Sequence, residues 1–201
     1  MLYWYPNRPF KLPPTSPKVT ELSNSPDWDG EIKKNGTRLE LWKSTTDAKK
    51  QKSYNDFIFW NRHKSVLTYL PSKGVMDELK SLNLPDNTYI DAELLHFKTK
   101  AIKHHIYIYD IYIYGGQQMM EELRYRRELL HSILRDKYDH LCIAQTYETG
   151  FFELYQKVIK NEEDEGLVMK NKKGKIVWDL RKSPDVWWQF KIRRESKNYK
   201  W

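Results

Sequence analysis

The segment Glu31-Ile32-Lys33-Lys34-Asn35-Gly36-Thr37-Arg38 places a lysine before a glycine turn and an arginine after it, a spacing that could carry covalent chemistry. A lysine amine attacks phosphorus only as the free base, and cations gathered to bind a polyphosphate favour that form by like-charge repulsion. A tight turn at Asn35 and Gly36 between two strands would make a hairpin aiming Lys33 and Arg38 into one groove. Basic turns of this kind are common, so the segment alone does not decide for catalysis. In Tyr89-Ile90-Asp91-Ala92-Glu93-Leu94-Leu95, acidic residues alternate with apolar ones. Charge in such a strand is costly unless it binds something, so Glu93 suits a ribose hydroxyl or a metal-bound water. A carboxylate facing solvent from an edge strand is the alternative. Two further segments are Asp164-Glu165-Gly166-Leu167-Val168-Met169-Lys170 and Trp187-Trp188-Gln189-Phe190-Lys191. In the second, Gln189 and Lys191 share one strand face.

The elements that must position these residues follow from the pattern. Residues 1–29 carry Pro6, Pro9, Pro13, Pro14, Pro17 and Pro26, which disfavours helix and suggests an extended arm. Alternation predicts strands on either side of the Asn35–Gly36 turn, a pair at 57–60 and 66–70, and long strands at 89–97 and 102–114 ending at Gly115 and Gly116. Helices are predicted over 74–82, over 117–135 with Glu122 and Arg126 as an i,i+4 pair, and over 151–159. Strands return at 166–170, in a hairpin through Lys173 and Gly174 to Trp178, and at 186–193. Without a repeat or linker, these make one mixed α+β domain over 30–201, of mostly antiparallel sheets with packed helices.

Bulk composition bounds the partners. Thirty-five Lys and Arg against 27 Asp and Glu give a formal charge of +8, which favours polyanions through phosphate neutralisation. Lys49, Lys50 and Lys52 read as solvated surface. No apolar run approaches membrane-spanning length and the first residues lack a signal-peptide pattern, so a soluble cytoplasmic protein without a membrane partner is expected. The compact texture suggests a viral or phage source. Lone Cys142, between Leu141 and Ile143, reads as buried core.

In order and spacing, the segments resemble the ATP-dependent DNA ligases and their covalent nucleotidyltransferase relatives, the RNA ligases and capping enzymes. That superfamily reads Lys-x-Asp-Gly-x-Arg, Asp-Gly-Glu, Glu-Gly-x-x-x-Lys and Trp-x-Lys-x-Lys. Phe59-Trp60-Asn61-Arg62 and Ile108-Tyr109-Asp110-Ile111 also resemble family segments. The resemblance runs from Glu31 to Arg193 and implies an ATP-grasp-like nucleotidyltransferase domain. It further implies that Lys33 takes AMP from ATP, that Glu31 accepts a hydrogen bond from the adenine amino group, and that Arg38 and Arg62 hold phosphate. Glu93 would bind ribose or metal, Tyr109 would stack on the base, and Glu165 would help coordinate Mg²⁺ or Mn²⁺. Lys170 and Lys191 would contact the triphosphate, with Gln189 beside them on the nucleotide site.

Asn35 stands where the family has Asp, Ala92 where it has Gly, and Gln189 where it has the first lysine of the last motif. Ala92 is small enough to be tolerated, whereas Gln189 removes a phosphate-binding cation. The chain ends at Trp201, so no OB-fold domain is expected after the last motif. The implied function is sealing of 5′-phosphate/3′-hydroxyl nicks in duplex DNA by a monomer, with a partner that supplies grip on DNA as the alternative. RNA ligation, capping-type transfer and nucleic-acid binding with a decayed site are the rivals. Arg38, Arg62, Lys172, Lys173, Lys175, Arg181, Lys182, Arg193 and Arg194 are the expected phosphate contacts.

Overall fold

The computed structural model describes residues 3–44, 56–135 and 137–195, so the reading of Lys49, Lys50 and Lys52 lies outside the described residues. One sheet runs in the order β1 (Arg8–Lys11), β11 (Asp185–Arg193), β10 (Asp164–Asn171), β2 (Trp28–Lys34) and β9 (Thr146–Tyr147). The other runs β4 (Phe57–Trp60), β3 (Thr37–Lys43), β5 (Thr88–Leu95), β6 (His105–Tyr114) and β7 (Gln117–Gln118), with β8 (Leu141–Ile143) also beside β6. Among the described strands only the β1–β11 and β6–β8 pairs are parallel, so the fold is the expected mixed, mostly antiparallel α+β one. Among the described residues no helix is long and apolar enough to cross a membrane.

Period-two alternation gives each sheet an apolar outer face. On β5, Ile90, Ala92 and Leu94 pack with Val75, Met76 and Leu79 of α2 (Lys73–Ser81) and Leu130 of α3 (Leu123–Ile133). On the first sheet, Leu167, Met169 and Ile192 pack with Val19 and Leu22 of α1 (Pro17–Ser23) and Phe151, Tyr155 and Val158 of α4 (Phe151–Val158). Each buried aliphatic or aromatic side chain of this kind contributes roughly 1.5–3 kcal/mol. The inner faces approach closely enough for Lys170 Nζ on β10 to donate to the Tyr109 carbonyl on β6 at 3.4 Å.

The strands flanking Asn35 and Gly36 form as expected, but not as a hairpin. Lys33 on β2 is paired with Gly166 on β10, whereas Arg38 on β3 is paired with Glu93 on β5. The chain therefore crosses between sheets at Asn35–Gly36. The Asn35 N–H donates to the Glu163 carbonyl at 2.9 Å, anchoring one side of the crossing. Gly36 lies so close to β5 that a Cβ would stand 2.5 Å from Glu93 Cγ and 2.7 Å from the Leu94 carbonyl oxygen. Alternation looks the same in strands that pair and strands that diverge, which is why the sequence favours the simpler hairpin.

Other expectations need correction. The proline-rich beginning holds strand β1 and helix α1, because Ser16 caps Lys18 N–H and the fixed φ of Pro17 suits the first turn. Helix α3 begins at Leu123, not Gln117, since Gln117 and Gln118 return along β6 through Gly115 and Gly116, both with positive φ. Arg126 does not pair with Glu122. Its guanidinium is fully buried against Asp110, while Glu122 pairs with Arg124 at 2.9 Å. Residues 66–70 form one isolated bridge, Trp60 to Val66, and 173–178 form no strand. Cys142 is half-buried against Tyr107, Tyr109 and Ala144, with its Sγ 3.1 Å from His105 Nε2.

Candidate active site

A cavity of about 590 Å³ opens between the inner faces of the two sheets, within the size range of small-molecule sites. All ten residues to which the motifs assign a site role line it: Glu31, Lys33, Arg38, Arg62, Glu93, Tyr109, Glu165, Lys170, Gln189 and Lys191. Strand alternation explains the convergence. On β5 the apolar set faces α2 and α3, which leaves Asp91 and Glu93 inside, and Ala92 packs outward, away from the cavity. The small residue at 92 is therefore a matter for the outer core.

A bulge in β6 adds to this wall. Asp91 is paired with Asp110 but Ala92 with Ile108, so Tyr109 is the extra residue. Ile108 and Ile111 both join the outer core, and Tyr109 and Asp110 between them face inward. Bulges re-aim side chains in this way beside binding sites. The Tyr109 ring is thereby flanked by Arg38 and Lys170, at 5.4 and 5.3 Å from its centre.

Lys33 Nζ donates to Glu165 Oε2 at 2.5 Å, and Arg193 lies 3.5 Å from the same oxygen. Burial pushes the Glu165 carboxyl up, but Lys33 and Arg193 outweigh it and hold it below the usual range. Gly166, next along β10, has φ +153, and a Cβ there would stand 2.1 Å from the Ile192 carbonyl oxygen. Only glycine lets β10 run so close to β11 at the register of Lys33. Glu93 is pushed above its ordinary range by burial, with Lys33, Arg38 and Lys98 pulling the other way. Lys191 is pulled down to about 8 by burial and by the like charges of Lys33, Arg8, Lys11 and Arg193.

Several partners were not legible in the motifs. Arg127 on α3 donates to Asp29 at 2.6 Å and to Glu31 Oε1 at 2.5 Å. Lys170 Nζ lies 2.7 Å from Glu31 Oε2, so each oxygen of this buried carboxylate faces a cation. Arg38 makes a two-pronged contact with Asp91 and lies 3.5 Å from wholly buried Glu40. Adjacent Arg126 and Arg127, on a helix read as apolar packing, were the available signal. Arginines on the inner side of a buried helix need carboxylate partners.

The expected basic surface divides. Arg38, Arg62 and Arg193 line the cavity. Arg194 holds the Asn161 carbonyl at 2.5 Å and the Asp164 carbonyl, Lys172 pairs with Asp29 at 3.2 Å, and Lys173 with Asp27 at 2.9 Å. Lys175, Arg181 and Lys182 are exposed. No group of three or more His, Cys, Asp or Glu among the described residues has metal-holding geometry. Magnesium commonly uses one or two carboxylates together with substrate phosphates and water, and Glu93 and Glu165 beside Lys33 fit that donor set.

Comparison with known proteins agrees with the resemblance read from the motifs. Residues 95–191 match the family model for the ATP dependent DNA ligase domain, which takes in Tyr109, Glu165, Lys170, Gln189 and Lys191. No curated protein matches the chain. Among solved structures, a mycobacterial DNA ligase D complexed with ATP and MES is 14% identical with a TM-score of 0.65, covering 94% of this chain. The chain spans 60% of that ligase's length. A Lig E DNA ligase, described as binding DNA with a minimal scaffold, is 12% identical with a TM-score of 0.57, over 93% of this chain and 69% of its own. Chlorella virus DNA ligase-adenylate is 16% identical with a TM-score of 0.50, over 94% and 67%. The fold is that of DNA ligase nucleotidyltransferase domains.

Proposed function

We propose that the chain is an ATP-dependent polynucleotide ligase acting on nicked duplex DNA, and that Lys33 carries AMP between the two substrates. The observation that carries this reading is the Lys33 amine, held on Glu165 at 2.5 Å in a cavity walled by all the other motif residues. Lys33 Nζ attacks the α-phosphorus of ATP, a nitrogen–phosphorus bond forms, and the bond to the pyrophosphate oxygen breaks. Lys170 and Lys191 face the phosphates, and Arg38 and Arg62 hold phosphate at the nucleotide or at the 5′ end to be sealed. These fixed cations stabilise charge that develops on the phosphate oxygens without reorganising. A bound Mg²⁺ or Mn²⁺ at Glu93 and Glu165 would neutralise phosphate charge and help orient the leaving group. The AMP then passes to a 5′-phosphate, and a 3′-hydroxyl displaces it to close the nick.

The acceptor-only carboxylate of Glu31 on the cavity wall supports adenine over guanine. The adenine amino group donates there, whereas the guanine carbonyl would leave two acceptors facing each other. Tyr109 gives the base a ring to lie against, backed by the Tyr107 ring 5.6 Å away.

Incubation with ATP and Mg²⁺ should add one AMP per chain, read by intact mass, and Lys33→Ala should abolish it. Labelling by α-labelled GTP should be far weaker than by ATP. An unmodified wild-type chain, or AMP retained by Lys33→Ala, would overturn the reading; equal labelling by GTP would overturn the placement of Glu31. Sealing of a nicked duplex should fall with salt more steeply than labelling, since each phosphate contact contributes roughly −0.9 to the slope of log affinity against log salt.

A further inference from the structure

Position 189 holds glutamine where the ligase-like pattern has a cation, yet the cavity beside it is strongly positive. Lys33, Lys191 and Arg193 all line it, and so does Arg8, from the N-terminal strand. Strand β1 runs parallel to β11, with Arg8 opposite Asp185 and Pro9 opposite Val186, and then jumps so that Phe10 is opposite Phe190. Trp187, Trp188 and Gln189 therefore have no register partner on β1, while Gln189 stays paired with Lys170 of β10. Proline has no N–H to give to a ladder, which is why the pairing breaks there. Arg8, held opposite Asp185, lines the same cavity as Gln189.

The backbone at Arg8 is fixed. Arg8 N–H donates to the Pro184 carbonyl at 2.8 Å, and Asn7 N–H to the Tyr112 hydroxyl at 2.8 Å. The Asn7 amide brackets Val177 with bonds of 2.7 and 3.0 Å. With the backbone tied, only the Arg8 side chain has to turn from Asp185 to meet a ligand.

We propose that Arg8 is a phosphate-binding residue of this cavity, supplying from the N-terminal strand the cation that position 189 lacks, with the pyrophosphate end of ATP as its ligand. The inference rests on the nucleotidyl-transfer reading. Arg8 now makes a two-pronged contact with Asp185, at 2.6 and 2.8 Å, and both side chains are about half exposed. A solvated ion pair of this kind is weak enough for a doubly charged phosphate to compete for the guanidinium. Burial and the nearby charges of Lys33, Arg8, Lys11 and Arg193 also pull Lys191 down to about 8, the mark of a crowded anion site.

Titration calorimetry with inorganic pyrophosphate tests this without turnover. Arg8→Ala should weaken binding by about tenfold or more, the loss expected for one charge-assisted contact, and Arg8→Lys should keep part of it. Adding Gln189→Lys to Arg8→Ala should restore affinity, because the cation returns to the position the family pattern gives it. Asp185→Asn, which releases Arg8 from its competitor, should tighten binding and guards against an Arg8→Ala chain that merely folds poorly. Unchanged affinity in Arg8→Ala, or no tightening in Asp185→Asn, overturns the proposal. If the wild type takes up no AMP while Arg8→Ala loses pyrophosphate, the transfer reading fails and the phosphate site stands. If the wild type takes up AMP while Arg8→Ala binds pyrophosphate normally, only the Arg8 assignment fails.

Discussion

The two faces of the same strands differ more than the two sheets do. Outward, β5 and β6 present Ile90, Ala92, Leu94, Ile106, Ile108 and Ile111 to helices, in a core that any amphipathic sheet would build. Inward, the same strands and those opposite present Glu40, Asp91, Glu93, Asp110, Glu31, Arg38 and Lys170, mostly buried. A layer of charge between two sheets is a poor way to stabilise a fold, since desolvation consumes most of what ion pairing returns. The outer faces make most of the core, and the inner faces join an aromatic cluster around Trp42, Tyr89 and Tyr112 to the charged groups that line the cavity.

The largest effect that could break this contrast is expected at Arg126. It is wholly buried, holds Asp110 through two 2.8 Å bonds, and donates to the Gly174 carbonyl at 3.1 Å. Arg126→Met strands the Asp110 charge and should cost about 3–5 kcal/mol in urea unfolding. That matches or exceeds Leu79→Ala on the outer face, roughly 2–5 kcal/mol from a cavity alone. Adding Asp110→Leu should recover part of the loss but not all, because the Glu121 carbonyl, to which Arg126 donates at 2.5 Å, also loses that donor. A single variant within 1 kcal/mol of wild type, or a double variant no better than the single, would show that the charged layer is not organised by partner.

A smaller effect sharpens the contrast at the ligand. Burial and like charges bring Lys191 down to about 8, so it gives up its proton as pH rises through that value. Pyrophosphate affinity, corrected for the ligand's own ionisation, should fall by about tenfold across this range, as one charged contact becomes neutral. Lys191→Arg, which stays charged, should flatten the profile. A wild-type profile already flat near pH 8 would mean that Lys191 does not face the ligand.

What the sequence made legible follows the same division. Outer-face periodicity placed β3, β4, β5, β6 and helices α2 and α4 to within a few residues, because burial of one face writes directly into the residue pattern, whereas β7 falls inside a predicted helix and the short β8 leaves no pattern to read. The ten motif residues share one cavity because short-range alternation is enough to say which side chains point together. Partners brought in by topology were out of reach. Nothing local to Glu31 signals that Arg127, on a helix far along the chain, will hold it, or that Arg8 will arrive beside Lys191. The crossing at Asn35–Gly36 lies beyond local pattern for the same reason. Whether two strands pair with each other or with others is decided by long-range contacts, here the Glu163 carbonyl and the wall of β5.

The smallest expected effect concerns Glu40, which belongs to the inner layer but does not line the cavity. Its side chain is wholly buried, opposite Asp91 on β5, with Arg38 at 3.5 Å and Tyr3, Tyr89 and Tyr112 around it. Burial and the Asp91 charge push the Glu40 carboxyl well above its ordinary range, and Arg38, committed to Asp91, offsets this only in part. A carboxyl whose folded pKa lies above its unfolded value contributes stability that is fully present below the unfolded value and is lost as pH rises through the folded one. Wild-type stability should therefore carry a Glu40 contribution at acid pH that drains away toward alkaline pH. Glu40→Gln mimics the protonated acid in shape and cannot ionise. Its unfolding free energy, followed from pH 4 to pH 9, should track wild type at the acid end and rise progressively above it toward the alkaline end, where the wild type must bury a second negative charge beside Asp91. Curves that stay parallel would mean that Glu40 is ionised throughout and that Arg38 serves both carboxylates.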